Sequence, residues 1–275
     1  MSRPPIGVFD SGLGGLTVAA QILKRLPSES VIYLADTAHV PYGERPLEEI
    51  KGFALDITRF LRGLGAKMVV MACNMSSAVA LPVAEEMFPD MPLLGVIEPG
   101  SRAAVRAADG RPIGVLATTG TVTSRAYPRT IRRMSPQTPV YEQACPAFVP
   151  LVESGRSGGP EAFDAAREYL RDFAERGIGT IILGCTHYPF LSEAIAAAAD
   201  ASARLIDPAH ETVAEVERLL LERGIQAPCD NHAEHRFFVT GDAESFAELG
   251  SRFLGRPVAR VESALWGVDI GRVYA

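Results

Sequence analysis

Short apolar runs alternate with stretches of helical periodicity along this chain, and that alternation limits the possible folds more than any other feature. Runs of this kind mark strands buried on both faces, as in parallel sheets covered by helices. They fall at residues 5–9, 31–35, 67–72, 92–97, 112–117, 139–143, 180–184 and 204–206. Between them, residues 16–26, 46–63, 77–88, 124–134, 161–176 and 190–199 read as helices, several with apolar side chains at helical spacing. The tail adds helices at 211–223 and 243–253 and strands at 235–240 and 258–261. The expected class is α/β, with helices on both faces of parallel sheets.

The two halves carry the same landmarks. Ile6-Gly7-Val8 opens the first, and Ile113-Gly114-Val115 opens the second 107 residues later. Val69-Val70-Met71-Ala72-Cys73 returns as Ile181-Ile182-Leu183-Gly184-Cys185, 112 residues on. Each time a buried strand ends on a cysteine and a polar residue follows. The recurrence predicts two similar doubly wound parallel-sheet domains. The first is expected to comprise residues 1–97 plus 208–275, the N-terminal half completed by the C-terminal tail, and the second residues 98–207. A chain of 275 residues is long enough for two domains of ordinary size.

Composition narrows the class of partner. Lys and Arg number 27 against 33 Asp and Glu, a net charge of −6 that argues against nucleic acid. Hydrophobic residues make up 47%, ample for a core. No apolar run approaches the roughly 18 residues of a membrane helix. Met1 to Asp10 lacks the charged-then-apolar layout of a secretion signal, so a cytoplasmic location is expected. Four cysteines without a C-x-x-C pair do not make a disulfide framework, and each is then a buried hydrophobe or a reactive thiol.

In open α/β sheets ligands bind beyond the carboxyl ends of the strands, where Asp10, Cys73, Thr118 and Cys185 are expected. Asn74, Ser76 and Ser77 follow one cysteine, and Thr186 and His187 follow the other, polar company that a packing position does not need. Cys145 and Cys229 lack a matched context and read as structural. A thiol at a strand-to-helix turn lies near backbone amides that favour thiolate. Two thiols facing each other across a cleft suit inversion of a stereocentre: one removes a proton from one face, and the other returns a proton to the opposite face. Asp10 and His187 are the expected proton-handling neighbours, one per cysteine.

At these residues the chain resembles glutamate racemases of the aspartate/glutamate racemase superfamily. The likeness is carried by residues 6–17 (IGVFDSGLGGLT), 33–45 (YLADTAHVPYGER), 72–78 (ACNMSSA), 114–121 (GVLATTGT), 144–153 (ACPAFVPLVE) and 183–191 (LGCTHYPFL). The resemblance implies two α/β domains with the active site in the cleft between them, a cofactor-independent, metal-free isomerase that interconverts L- and D-glutamate for peptidoglycan synthesis, and a homodimer without nucleic-acid or membrane partners. It implies that Cys73 acts on the D-enantiomer and Cys185 on the L-enantiomer, assisted by Asp10 and His187, with Glu153 more peripheral. Substrate contacts are implied for Asp10, Ser11, Pro41, Tyr42, Gly43, Asn74, residue 75, Thr118, Thr121, Thr186 and His187. Here residue 75 is Met75, where the family usually has threonine, so one hydroxyl near a substrate carboxylate is missing.

Other readings stay open on the sequence alone. A racemase of the same superfamily acting on aspartate or another amino acid would use the same cysteines. Gly12, Gly14 and Gly15 with Asp36 suggest a dinucleotide site, although the spacing is G-x-G-G and Asp10 would repel a pyrophosphate. Cys185 with His187 suggests a hydrolase or amidotransferase, which leaves Cys73 unexplained. A two-lobed binding module would share the cleft. Cys229, His232 and His235 have a metal-like spacing without an evident fourth ligand, and Arg125, Arg129, Arg132 and Arg133 read as a solvated helix face.

Overall fold

The structure, a computed structural model, describes residues 3–258 and 260–264. The expected N-terminal segment at residues 1–2, the 258–261 strand at residue 259 and the tail at 265–275 lie outside the described residues. Ten strands are found among the described residues: β1 (Ile6–Asp10), β2 (Val31–Ala35), β3 (Met68–Met71), β4 (Leu93–Gly95), β5 (Ile113–Ala117), β6 (Val140–Ala144), β7 (Thr180–Gly184), β8 (Arg204–Ile206), β9 (His235–Val239) and β10 (Val261–Ser263). They form a six-stranded sheet in the order β10-β9-β2-β1-β3-β4 and a four-stranded sheet in the order β6-β5-β7-β8. Every pairing is parallel.

The apolar runs are strands because both of their faces are covered. On one face of the larger sheet, Ile6, Val8 and Tyr33 pack against the helices Leu16–Arg25 and Pro208–Glu222. On the other, Phe9, Ile32, Leu34, Val69 and Met71 meet the helix Leu47–Gly63. The smaller sheet divides the same way, with Leu116, Ile181 and Leu183 on one face and Ile113, Val115 and Ile182 on the other. Successive residues of a strand point to opposite faces, so one run feeds two cores.

Several helix boundaries differ from the periodicity, each for a local reason. The expected 77–88 helix starts earlier and is two pieces, Asn74–Val79 and Leu81–Met87, with Pro82 in the first turn of the second. The expected 124–134 helix is Ala126–Met134, and the left-handed Arg125 (φ 55°) divides it from a separate short helix, Thr119–Ser124. At 190–199 a 3-10 turn, Tyr188–Leu191, precedes the helix Ser192–Ala198. Two other helices escaped the sequence reading. Ile97–Ala108 carries Pro99 and Gly100, which look like breakers, but proline is tolerated in a first turn and Gly100 lets Pro208 pack closely. Phe148–Glu153 is too short to show a period. The last strand is Val261–Ser263 instead of 258–261.

Candidate active site

The inner order of both sheets is the same: β2-β1-β3-β4 in one and β6-β5-β7-β8 in the other. In each, the chain leaves its first strand to one side and later continues on the other, so a crevice opens at the carboxyl ends of β1 and β3, and of β5 and β7. Asp10 ends β1, Cys73 lies just past β3, Thr118 follows β5 and Cys185 follows β7. The four strand-end positions singled out in the sequence are therefore the switch-point positions of two like sheets.

These ends surround a cavity of about 350 Å³. The larger sheet contributes Ser11, Gly12, Cys73, Asn74 and Met75, with Val40, Pro41, Tyr42 and Gly43 from the segment after β2. The smaller contributes Thr118, Thr119, Thr121, Gly184, Cys185, Thr186 and His187, with Cys145, Pro146, Val149, Pro150 and Glu153 from the segment after β6. Among the described residues no lysine or arginine lines it. Cys145 is fully buried and its thiol donates to the Gln143 carbonyl at 3.5 Å, in keeping with the structural reading. It also borders the cavity, and its carbonyl accepts a hydrogen bond from Tyr188 (3.1 Å). Cys229 is exposed and stands apart from the cavity.

The two thiols have different surroundings. Cys73 lies 4.0 Å from Ser11 Oγ, and burial, followed by the nearby Asp10, pushes its thiol up to about 12. Cys185 Sγ lies 3.8 Å from His187 Nδ1, and His187 Nε2 lies 3.2 Å from Glu153 Oε1. Burial alone would lower the His187 pKa, but its bonds to Cys185 and Glu153 outweigh burial and raise it to about 10. The raised pKa favours the doubly protonated ring, whose two N–H groups can face the Cys185 sulfur and the Glu153 carboxylate. Sequence motif alone placed Glu153; the geometry puts it directly behind the histidine.

Asp10 stands behind the cavity wall. It accepts hydrogen bonds from the Gly12 amide (3.0 Å) and the Thr186 hydroxyl (3.4 Å), tying the turn after β1 to the turn after β7. Burial raises its carboxyl above the usual range, against the pull of His187 and of the Gly12 and Gly15 amides. The glycine-rich turn has its explanation here. A Cβ on Gly14 would lie 2.2 Å from Thr186 Oγ1 and 2.6 Å from His187 Nδ1, and one on Gly15 would lie 2.4 Å from Asp10 Cβ. Gly14 admits the turn of the other sheet and Gly15 admits the end of its own strand, so the turn is filled by protein, not shaped for a pyrophosphate.

Asp36 is likewise engaged within the protein instead of waiting for a ribose. Fully buried, it accepts from Tyr42 Oη (2.5 Å) and Thr240 Oγ1 (2.8 Å) and pairs with His39 Nδ1 (2.7 Å). It thereby holds the Pro41–Gly43 stretch of the wall. The sequence had linked Asp36 only to a dinucleotide. Its part in the wall depends on Thr240, 204 residues away, and no local pattern signals it. Thr118 and Thr121 share a hydroxyl contact of 3.1 Å. Met75 is buried with Tyr42, Ile50 and Cys73, and a Cβ on Gly120 would meet its sulfur at 2.8 Å, so the thioether fills the seam between the two sheets.

Comparison with known proteins places this geometry. The family model described as Asp/Glu/Hydantoin racemase matches residues 10–216. A glutamate racemase of Desulforudis audaxviator is 43% identical over 264 residues, covering 93% of this chain and 96% of that protein. A crystal structure of a Bacillus anthracis glutamate racemase superposes with a TM-score of 0.92 at 36% identity, covering 98% of this chain and 100% of that one. The Francisella tularensis glutamate racemase, determined with D-glutamate, superposes at 0.90 with 35% identity, covering 96% and 98%. This chain belongs to the Asp/Glu/Hydantoin racemase family and is an isomerase of that family.

Proposed function

We propose that the protein interconverts L- and D-glutamate by a two-thiol proton transfer at Cα, with Cys73 and Cys185 as the acid/base groups. The observation that carries the reading is that both thiols line one cavity from equivalent strand ends of two like sheets. An amino acid seated between them presents opposite faces of Cα to the two sulfurs. Burial and the nearby Asp10 make Cys73 hold its proton firmly, so it stands as the acid. Its partner then takes the proton of L-glutamate, and the thiols exchange roles for D-glutamate. His187 steadies negative charge on the Cys185 sulfur, and Glu153 holds the imidazolium in place. Glutamate carries two carboxylates, and a wall with no lysine or arginine among the described residues leaves them to hydroxyls, the Asn74 amide and backbone N–H groups.

The remainder of the proposal rests on the family likeness. It comprises the roles of the other wall residues, a supply of D-glutamate to peptidoglycan synthesis, a cytoplasmic location and a homodimer. The division into units of 1–97 plus 208–275 and 98–207 is supported by sheet membership, since β1–β4 and β9–β10 share one sheet and β5–β8 the other. No helix among the described residues is long and apolar enough to cross a membrane.

Circular dichroism of an L- or D-glutamate solution should decay to zero ellipticity with the purified protein and no added pyridoxal phosphate, nicotinamide or metal. Persistent ellipticity with both enantiomers would sink the proposal. Decay with aspartate alone would move it to another substrate.

Two further results are expected at this site. In Glu153→Gln, His187 loses a partner that raises its pKa, so it deprotonates at lower pH. The alkaline limb of the kcat/KM profile should then shift downward; an unmoved limb would remove Glu153 from the proton chain. Met75→Thr restores a hydroxyl but empties the seam beside Gly120. KM should fall or stay level, while stability drops by about 2 kcal/mol, seen in a thermal melt. A large loss of kcat with folding intact would give Met75 a role in the chemistry.

A further inference from the structure

The two cysteine turns differ in the residue just before the thiol. Ala72 precedes Cys73, whereas Gly184 precedes Cys185. A Cβ on Gly184 would lie 2.8 Å from the Leu116 carbonyl and 3.1 Å from Tyr127 Cε2, so the missing side chain makes room for the Tyr127 ring. Tyr127 lies in the helix Ala126–Met134 and is fully buried. Its ring rests beside the Cys185 turn. Its hydroxyl reaches the other sheet and donates to Asn74 Oδ1 at 2.7 Å, next to Cys73.

That bond decides which way the Asn74 amide faces. A buried phenol needs an acceptor for its proton, and among the described residues this carboxamide oxygen is the one it meets. The Asn74 NH2 group is then turned the other way. It makes no hydrogen bond to protein among the described residues, yet it is not a sealed, unsatisfied atom, and Asn74 lines the cavity. A buried amide held by its oxygen presents two donors to whatever occupies the space. In a wall with no lysine or arginine among the described residues, those donors suit a carboxylate.

We infer that Tyr127 is a positioning residue of the site: it fixes the Asn74 amide with its donors toward the substrate and links the two thiol turns. The inference rests on the proposed racemase reading, because it takes a carboxylate-bearing amino acid as the occupant. Tyr127 itself touches neither substrate nor the reacting atoms. It acts through Asn74.

Tyr127→Phe keeps the ring on Gly184 and deletes only the hydroxyl. KM for both enantiomers of glutamate should rise about tenfold with a smaller change in kcat, as expected when a donor to a charged group loses its fixed orientation. Calorimetric titration with D-glutamate should show the same loss of affinity. In an Asn74→Ala background, adding Tyr127→Phe should change KM less than twofold, because the amide it orients is gone. A purely structural role would instead lower the melting temperature in both backgrounds and leave KM alone. An unchanged KM in Tyr127→Phe, or an equal rise in the Asn74→Ala background, overturns this inference while the parent still racemises. A parent that neither binds nor racemises glutamate overturns the functional reading, and this inference with it.

Discussion

Replacing Cys73 or Cys185 by serine is expected to lower racemisation of glutamate by on the order of 10³-fold, the scale of a positioned acid/base group. Serine nearly preserves shape, so the cavity should survive and the melting temperature should move little. What it removes is a group able to carry a proton both ways near neutral pH. A serine hydroxyl is a far weaker acid than a thiol, so it cannot shed its proton to act as base, and it donates poorly to a developing carbanion.

The two variants should fail differently. With Cys185→Ser the sulfur on the Cys73 face remains, and in heavy water it should wash the α-proton out of D-glutamate and return deuterium to the same face. With Cys73→Ser the same exchange should be confined to L-glutamate. Mass spectrometry after chiral separation reads both outcomes. In the parent, kcat/KM for the two enantiomers must be equal at every pH, because enantiomers have an equilibrium constant of unity. Racemisation surviving at the parent rate in either variant would end the two-thiol account. Exchange of the same enantiomer by both would end the assignment of one face to each sulfur.

The sheets were legible because their strands are buried on both faces, and such strands are written as continuous apolar runs: β2, β7 and β8 match the sequence reading residue for residue. The switch-point residues were legible for a related reason. A polar or ionisable side chain directly after an apolar run has little packing use, so Asp10, Cys73, Thr118 and Cys185 stood out. What stayed hidden depends on partners distant in sequence. The Tyr127–Asn74 bond spans 53 residues and the Asp36–Thr240 bond 204. Neither leaves a periodic trace, because one hydrogen bond needs only one donor and one acceptor. The glycines after β1 were visible but misleading. A tight turn that admits Thr186 and His187 has the same letters as one that admits a phosphate, and only the far sheet tells them apart.

At the opposite end of β3 from Cys73, Lys67→Met is expected to cost about 3–5 kcal/mol, the penalty for leaving a buried charge without its partner. Lys67 Nζ lies 2.5 Å from Glu29 Oε2 and 2.7 Å from the Ile225 carbonyl, and the other Glu29 oxygen accepts from the Ala227 amide at 2.7 Å. Both side chains are almost wholly buried, at 6% and 4% exposure, so solvent screens the pair little. The pair ties the stretch that leads into β9 to the base of the larger sheet. Its loss should therefore loosen the tail's attachment and leave the cavity unaltered. The melting temperature should fall by on the order of 10 °C, while kcat of the folded fraction stays at the parent value. The sign of a second change separates charge from packing. Glu29→Gln in the parent should destabilise, because Lys67 then stands unpaired. In the Lys67→Met background the same change should stabilise, because it discharges the stranded carboxylate and keeps an acceptor for the Ala227 amide. Thermal or denaturant melts of the four proteins complete the cycle. If Glu29→Gln destabilises in both backgrounds, the pair matters through shape and not through charge.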